Sequence, residues 1–183
     1  ASRLGILKQQ LEGIRLLGTA PDSVAAEILS LGEYISVSMF GGILESKGVA
    51  NQLIDPVDYV LANGEYLDSI ADVALSKARF SEVVSDGSVF LVMPGFVAAN
   101  DDREKVTLGR NGSDYSAAIL AACIDASCCE IWTDVDGVYN ADPNQVEGAV
   151  LLDKLTYQEA MELSYFGAKV LHPKTIGPIA QHH

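Results

Sequence analysis

The sequence predicts an α/β layered fold with a largely parallel sheet, and three observations carry that prediction. Val89-Phe90-Leu91-Val92-Met93 is a short continuous apolar run closed by Pro94-Gly95, as expected of a strand buried on both faces. Cys129 to Thr133 reads as a second buried strand. Segments of helical periodicity separate these runs, the alternation that a layered α/β architecture requires. The 183 residues fit one domain, and 49% hydrophobic with 20% charged residues is enough for a sizeable core.

Leu4, Leu7, Leu11 and Ile14 recur at spacings of 3, 4 and 3, which predicts an amphipathic helix ending near Gly18. After Pro21, Asp22 or Ser23 can cap a second helical stretch, with Val24, Ile28, Leu31 and Ile35 on its apolar face and Gly48 as its stop. Gly32 interrupts this stretch, so two helices meeting at Gly32-Glu33 are an alternative. Val49 to Ile54 reads as a strand closed by Asp55-Pro56. A helix is expected over Ile70 to Val84, with turns at Asn63-Gly64 and Asp86-Gly87 and a hairpin tip over Asn100 to Lys105. Ser113 to Ala126 reads as a helix with Ala117, Leu120, Ala121 and Ile124 on one face. Thr156-Tyr157-Gln158-Glu159 has capping-box spacing and opens a helix over Tyr157 to Tyr165.

Twelve Lys and Arg against 25 Asp and Glu give a net charge of −13, which argues against a nucleic-acid backbone or an anionic membrane as partner. The longest unbroken apolar run, Ala117 to Ile124, falls short of the roughly 20 residues of a membrane span. No secretory signal is visible at the N-terminus. Cys123, Cys128 and Cys129 show no metal-ligand spacing and read as reduced thiols of a cytosolic protein.

Three stretches carry chemistry. In Leu108-Gly109-Arg110-Asn111-Gly112-Ser113-Asp114 two glycines flank an arginine at a helix start. Free N–H groups there can hold an anion, and Arg110 adds a bidentate donor for carboxylate or phosphate. A glycine-rich turn capped by Ser113 and Asp114 is an equally good reading of the pattern alone. It is not a Walker A loop, which ends in Gly-Lys-Ser/Thr. Thr133-Asp134 lies at the expected C-terminal end of a buried strand, where open parallel sheets bind ligands, and Tyr139 beyond it suits a nucleotide. A turn-rich loop is the plainer alternative, and a calcium loop is excluded by spacing and by the lack of a closing Glu. In Phe166-Gly167-Ala168-Lys169-Val170-Leu171-His172-Pro173, Lys169 read alone is a snorkelling surface lysine or a phosphate ligand, the former favoured. His172 before Pro173 reads as structural.

Taken together, in this order and spacing, the three stretches resemble the aspartate kinase catalytic domain. The phrasing Cys-Cys-Glu-Ile-Trp-Thr-Asp and Glu-Leu-Ser-Tyr-Phe-Gly-Ala-Lys is closest to the bifunctional aspartokinase/homoserine dehydrogenases. The resemblance runs from about Ile14 to Gln181. It implies a three-layer α/β/α sandwich of the amino-acid-kinase, carbamate-kinase-like type. It also implies transfer of the ATP γ-phosphate to the β-carboxylate of L-aspartate with Mg2+, the first step of lysine, threonine and methionine biosynthesis, in a cytoplasmic homodimer.

Carried over position by position, Glu33 would hold the aspartate amino group, and Arg110, Asn111, Gly112 and Ser113 its carboxylates. Asp114 would order the cationic groups around the transferring phosphoryl. Thr133, Asp134 and Tyr139 would bind the nucleotide, and Lys169 with Val170 would close over its phosphates. No protein side chain is assigned as a metal ligand. Two departures stand out: the family's opening Lys-Phe-Gly-Gly segment has no counterpart, and Asn144 replaces the arginine of the family's Asp-Pro-Arg. Phe40-Gly41-Gly42 is a decoy for the former, because Met39 precedes it in an apolar helical run. Residues 1–183 are therefore expected to be a catalytic domain without that segment and without the C-terminal regulatory domains. The alternatives are another enzyme of this fold acting on glutamate, acetylglutamate or a nucleoside monophosphate, and a ligand-binding fragment without turnover.

Overall fold

The computed structural model describes residues 3–81, 89–165 and 172–180. The chain opens with α1 (Arg3–Leu17) and α2 (Asp22–Ser46). Gly18, at φ +71°, closes α1 by donating its N–H to Ile14 O at 2.8 Å. Pro21 sits at the N-cap of α2 without a side-chain capping bond, so Asp22 lies inside the first turn and not at the cap. There its charge complements the positive end of the helix dipole. α2 is one helix. Nothing lies within 4 Å of where a Gly32 Cβ would be, so that glycine costs only its propensity, about 1 kcal/mol.

Two short helices follow turns that the sequence marks. β1 (Asn51–Leu53) leads into α3 (Pro56–Tyr59), where Asp55 accepts from Val57 N at 3.1 Å and Pro56 occupies the first turn. β2 (Ala62–Asn63) and β3 (Ile70–Ala71) form a small antiparallel ladder. α4 (Val73–Phe80) begins only after β3, because the Asp72 carboxylate accepts from Leu75 N at 2.9 Å and fixes the helix start there. The expected helix from Ile70 therefore loses its first residues to the ladder. The expected turn at Asp86-Gly87 lies outside the described residues.

β4 (Phe90–Val92) pairs in parallel with β1, in the register Asn51 to Phe90 and Leu53 to Val92. β5 (Val97–Ala99) and β6 (Lys105–Thr107) form an antiparallel hairpin around the predicted tip. A parallel bridge from Leu61 to Ala99 ties the hairpin to the segment before β2. Parallel pairing is thus present in β1–β4 and this bridge, while the other two ladders are antiparallel. α5 (Gly112–Cys123), α6 (Tyr157–Tyr165) and α7 (Pro173–Ala180) complete the elements. The capping box before α6 forms as expected: Thr156 N donates to Glu159 Oε2 at 2.8 Å, and Glu159 N donates to Thr156 Oγ1 at 3.2 Å.

The core gathers Val60, Phe80, Ala98, Val106, Leu108 and Ile119 between the β5–β6 hairpin, α4 and α5. α2 packs on β1 and β6, and α7 on α5. Gly41 is the close-approach point on α2, since a Cβ there would lie 2.9 Å from Leu53 Cδ2 of β1. The Phe40-Gly41-Gly42 run is therefore a helix–strand contact.

Two sequence expectations are corrected. Residues 129–133 form no strand: no described strand lies beside them to complete a ladder, and Trp132 is 89% exposed. The second correction concerns α2, whose 25 residues are long enough and apolar enough on average to cross a membrane. It escapes a count of unbroken apolar runs because Ser, Gly and Glu punctuate it. α2 nonetheless carries polar contacts to the rest of the fold. Lys105 Nζ pairs with Glu27 Oε2 at 2.9 Å, and Tyr34 OH donates to Asp55 Oδ1 at 2.5 Å.

Candidate active site

The Gly109–Asp114 loop is held by close backbone packing on both sides. Gly109 has φ +73°, and a Cβ there would overlap Asp68 Oδ1. A Cβ at Gly112 would lie 2.6 Å from Phe96 Cδ2, and one at Gly95 would lie 2.9 Å from Ser113 Cα. Only glycine allows the 94–97 turn and the start of α5 to interlock this closely. Leu108 N donates to Phe96 O at 2.9 Å, Phe96 N to Ser116 Oγ at 2.9 Å, and Ser116 Oγ to Gly112 O at 2.9 Å. That relay fixes the loop to the first turn of α5. Phe96 itself has φ +68°, a strained conformation for a side chain of its size.

Asn111 caps α5 from the left-handed region at φ +55°, with no side-chain capping bond. Tyr115 N reaches Asn111 O at 3.0 Å and Gly112 N reaches Gly109 O at 3.1 Å. No acceptor among the described residues takes the Ser113 and Asp114 N–H groups. The exposed Arg110 side chain likewise has no partner among the described residues. An uncapped helix start and a guanidinium with no partner among the described residues thus lie within five residues. Such a combination suits an anion, and Asn111 makes no side-chain capping bond of the kind a capped turn would show.

A cavity of about 690 Å³ opens beside the loop, bounded by Phe40, Leu44, Leu91, Met93, Gly95 and Ser113. Glu33, half-buried on α2, precedes Phe40 by seven residues and so lies on the same helix stripe, two turns toward the N-terminus. Ser113 lines this cavity, while Glu33 lies outside its lining, about two helical turns from Phe40 along α2.

Thr133 and Asp134 are exposed on an irregular segment, the Thr133 hydroxyl donating to Asp134 Oδ1 at 3.3 Å. Tyr139 is held by the antiparallel bridge to Leu151, by Asn140 N to Val150 O at 3.0 Å and by Leu152 N to Val138 O at 2.9 Å. Asn144 is committed to the local turn, donating its backbone N–H and its side-chain amide to Asp142 Oδ1 at 2.9 and 3.2 Å. Burial raises the Cys129 thiol pKa, with smaller contributions from Cys128 and from Asp114.

Lys169 and Val170 lie outside the described residues. His172 is structural as expected: its Nδ1 accepts from Lys174 N at 3.2 Å and caps α7. The sequence reading missed Asp68 and gave Lys174 no place in the site. Asp68 Oδ1 accepts from Lys174 Nζ while lying against Gly109. Only chain folding joins these three positions, and no sequence spacing signals it.

Residues 5–183 match the amino acid kinase family, and the chain belongs to it. Its α/β fold is the one seen in aspartokinases. It superposes on Escherichia coli aspartokinase III in complex with aspartate and ADP with a TM-score of 0.83, at 33% identity over 97% of this chain and 41% of that one. In sequence it is 54% identical to the bifunctional aspartokinase/homoserine dehydrogenase of Buchnera aphidicola over 96% of this chain and 22% of that protein. It is 51% identical to the Haemophilus influenzae protein of the same name over 94% of this chain and 21% of that protein. The chain thus spans about a fifth of the length of these curated relatives.

Proposed function

We propose that this chain is part of an aspartokinase catalytic domain, transferring the γ-phosphate of ATP to the β-carboxylate of L-aspartate. The observation that carries the reading is Arg110, without a partner among the described residues, beside the uncapped start of α5. Arg110 and the Ser113 and Asp114 N–H groups hold the acceptor's carboxylates. Glu33, on the stripe of α2 that carries Phe40, takes its ammonium. Asn111 and Gly112 shape the turn that aims these donors.

Thr133, Asp134 and Tyr139 form the nucleotide side, where Lys169 and Val170 also belong. An acceptor carboxylate oxygen attacks the γ-phosphorus in line, ADP departs, and an acyl phosphate results. Catalysis of this kind rests on positioning and on neutralising charge, which Arg110 and Lys169 supply, with Asp114 ordering the cationic groups. Mg2+ supplies further charge neutralisation when bound with the nucleotide. The resemblance extends the proposal to a cytoplasmic homodimer in amino-acid biosynthesis, with regulatory and dehydrogenase regions in the same polypeptide.

The test is aspartate-dependent ADP release with the acyl phosphate trapped by hydroxylamine, in the wild type and in Arg110→Ala. A hydrogen bond to a charged group contributes about 1.5–3 kcal/mol, so Arg110→Ala should weaken aspartate binding roughly ten- to hundredfold and ATP binding little. Equal loss of both ligands reassigns Arg110 to the phosphates. Turnover of glutamate in place of aspartate reassigns the acceptor.

A further inference from the structure

We propose that Asp68 and Lys174 form a charge-balanced brace beside the acceptor-binding loop, in which Lys174 neutralises the Asp68 carboxylate so that the loop's affinity for an anionic acceptor is preserved. The inference rests on the reading of Arg110 as the acceptor's carboxylate ligand.

The backbone on either side of Asp68 is fixed. Thr107, fully buried at the end of β6, donates its N–H to Tyr66 O at 2.7 Å and its hydroxyl to Leu67 O at 3.0 Å. Thr107 O accepts from Ser69 N at 2.9 Å. Residues 66–69 thus form a turn pinned at both ends on Thr107. Asp68 then has one place to go, against the left-handed turn at Gly109 that immediately precedes Arg110.

A bare carboxylate is a poor neighbour for a loop that binds a dicarboxylate. Like charges repel, the more so where protein shields them from solvent. Lys174 offsets that repulsion, since its side chain is three-quarters buried and its ammonium pairs with the same Oδ1 that abuts Gly109. The brace also joins two distant parts of the chain, the 66–69 segment and the start of α7. Exposed ion pairs add little stability, so the contribution of this one lies in where it puts charge.

The experiment uses the full chain with four substitution sets: Lys174→Met, Lys174→Arg, Asp68→Asn, and Asp68→Asn with Lys174→Met. Lys174→Met leaves Asp68 uncompensated and should raise KM for L-aspartate about tenfold, with kcat and KM for ATP nearly unchanged. Lys174→Arg should behave as wild type. The double variant removes both charges and should recover most of the lost aspartate affinity, which no purely structural role for the pair would produce. Calorimetric titration with L-aspartate repeats the comparison without turnover.

KM values for aspartate and ATP that rise together, or a double variant as impaired as Lys174→Met, overturn the brace while leaving Arg110's role intact. A wild-type protein that neither binds nor phosphorylates L-aspartate overturns the reading beneath it, and the brace with it.

Discussion

Replacing Gly109 by alanine tests whether the acceptor loop depends on its backbone conformation. Gly109 sits at φ +73°, where an L side chain costs about 1–2 kcal/mol. The added Cβ also overlaps Asp68 Oδ1 and lies 2.9 Å from Asp68 Cγ and 3.4 Å from its Cα. The hydrogen bonds to Thr107 hold that backbone, so the carboxylate must swing outward and release Lys174. Loss of the ion pair adds up to about 1 kcal/mol, for a combined destabilisation of about 1–3 kcal/mol. In a chain of this size that lowers Tm by roughly 2–12 °C, read by scanning calorimetry. Aspartate affinity should fall with it, because the turn aims Arg110. Gly42→Ala is the control. Nothing lies within 4 Å of its Cβ position inside α2, so it should be neutral or stabilise by about 0.5–1 kcal/mol. A Gly109→Ala protein whose Tm matches wild type within about 1 °C and whose aspartate affinity is unchanged would refute the reasoning.

Thiol labelling at mildly alkaline pH should modify the exposed Cys128 first, Cys129 more slowly, and Cys123 only on unfolding. Burial pushes the Cys123 thiol up to about 11, and peptide mass spectrometry reads the order, which an early-labelled Cys123 contradicts. Hydrogen bonds from Thr156 hold the Glu159 carboxyl below its ordinary value near 4.5. A depressed carboxylate stabilises the fold above its unfolded pKa, and that stabilisation fades as pH falls through 4.5 and below. The Tm gap between wild type and Glu159→Ala should therefore be widest near neutrality and narrow on acidification; a gap independent of pH argues against the capping box. β4 has one paired edge, and Phe90 is 67% exposed, so Phe90→Lys should reduce concentration-dependent self-association in analytical ultracentrifugation. Unchanged association would move the sticky surface elsewhere.

The legible parts of the fold were those with a local cause. α6 begins where its capping box places it, and α1 stops at the glycine that marks its end. α4 was displaced because the bond that starts it, from Leu75 to Asp72, competes with a strand pairing that periodicity does not encode. Residues 129–133 have the composition of a buried strand, but composition does not supply the neighbouring strand that a ladder needs. In the site, the Gly109–Asp114 loop was readable because glycine, arginine and helix start are contiguous. Asp68 was not, since its relation to Gly109 and Lys174 exists only after three segments meet.

The chain's single tryptophan stands one residue before Thr133, almost wholly in solvent, its indole N–H donating to Glu130 Oε2 at 3.2 Å. Its fluorescence is therefore a local gauge with no second emitter of its kind to dilute it. Emission from so wet an indole sits at the red end of its range, and a quencher in solution reaches it freely. A nucleotide arriving at Thr133-Asp134 would dry one side of the ring and shift both properties. The segment that completes no strand thus carries its own optical readout.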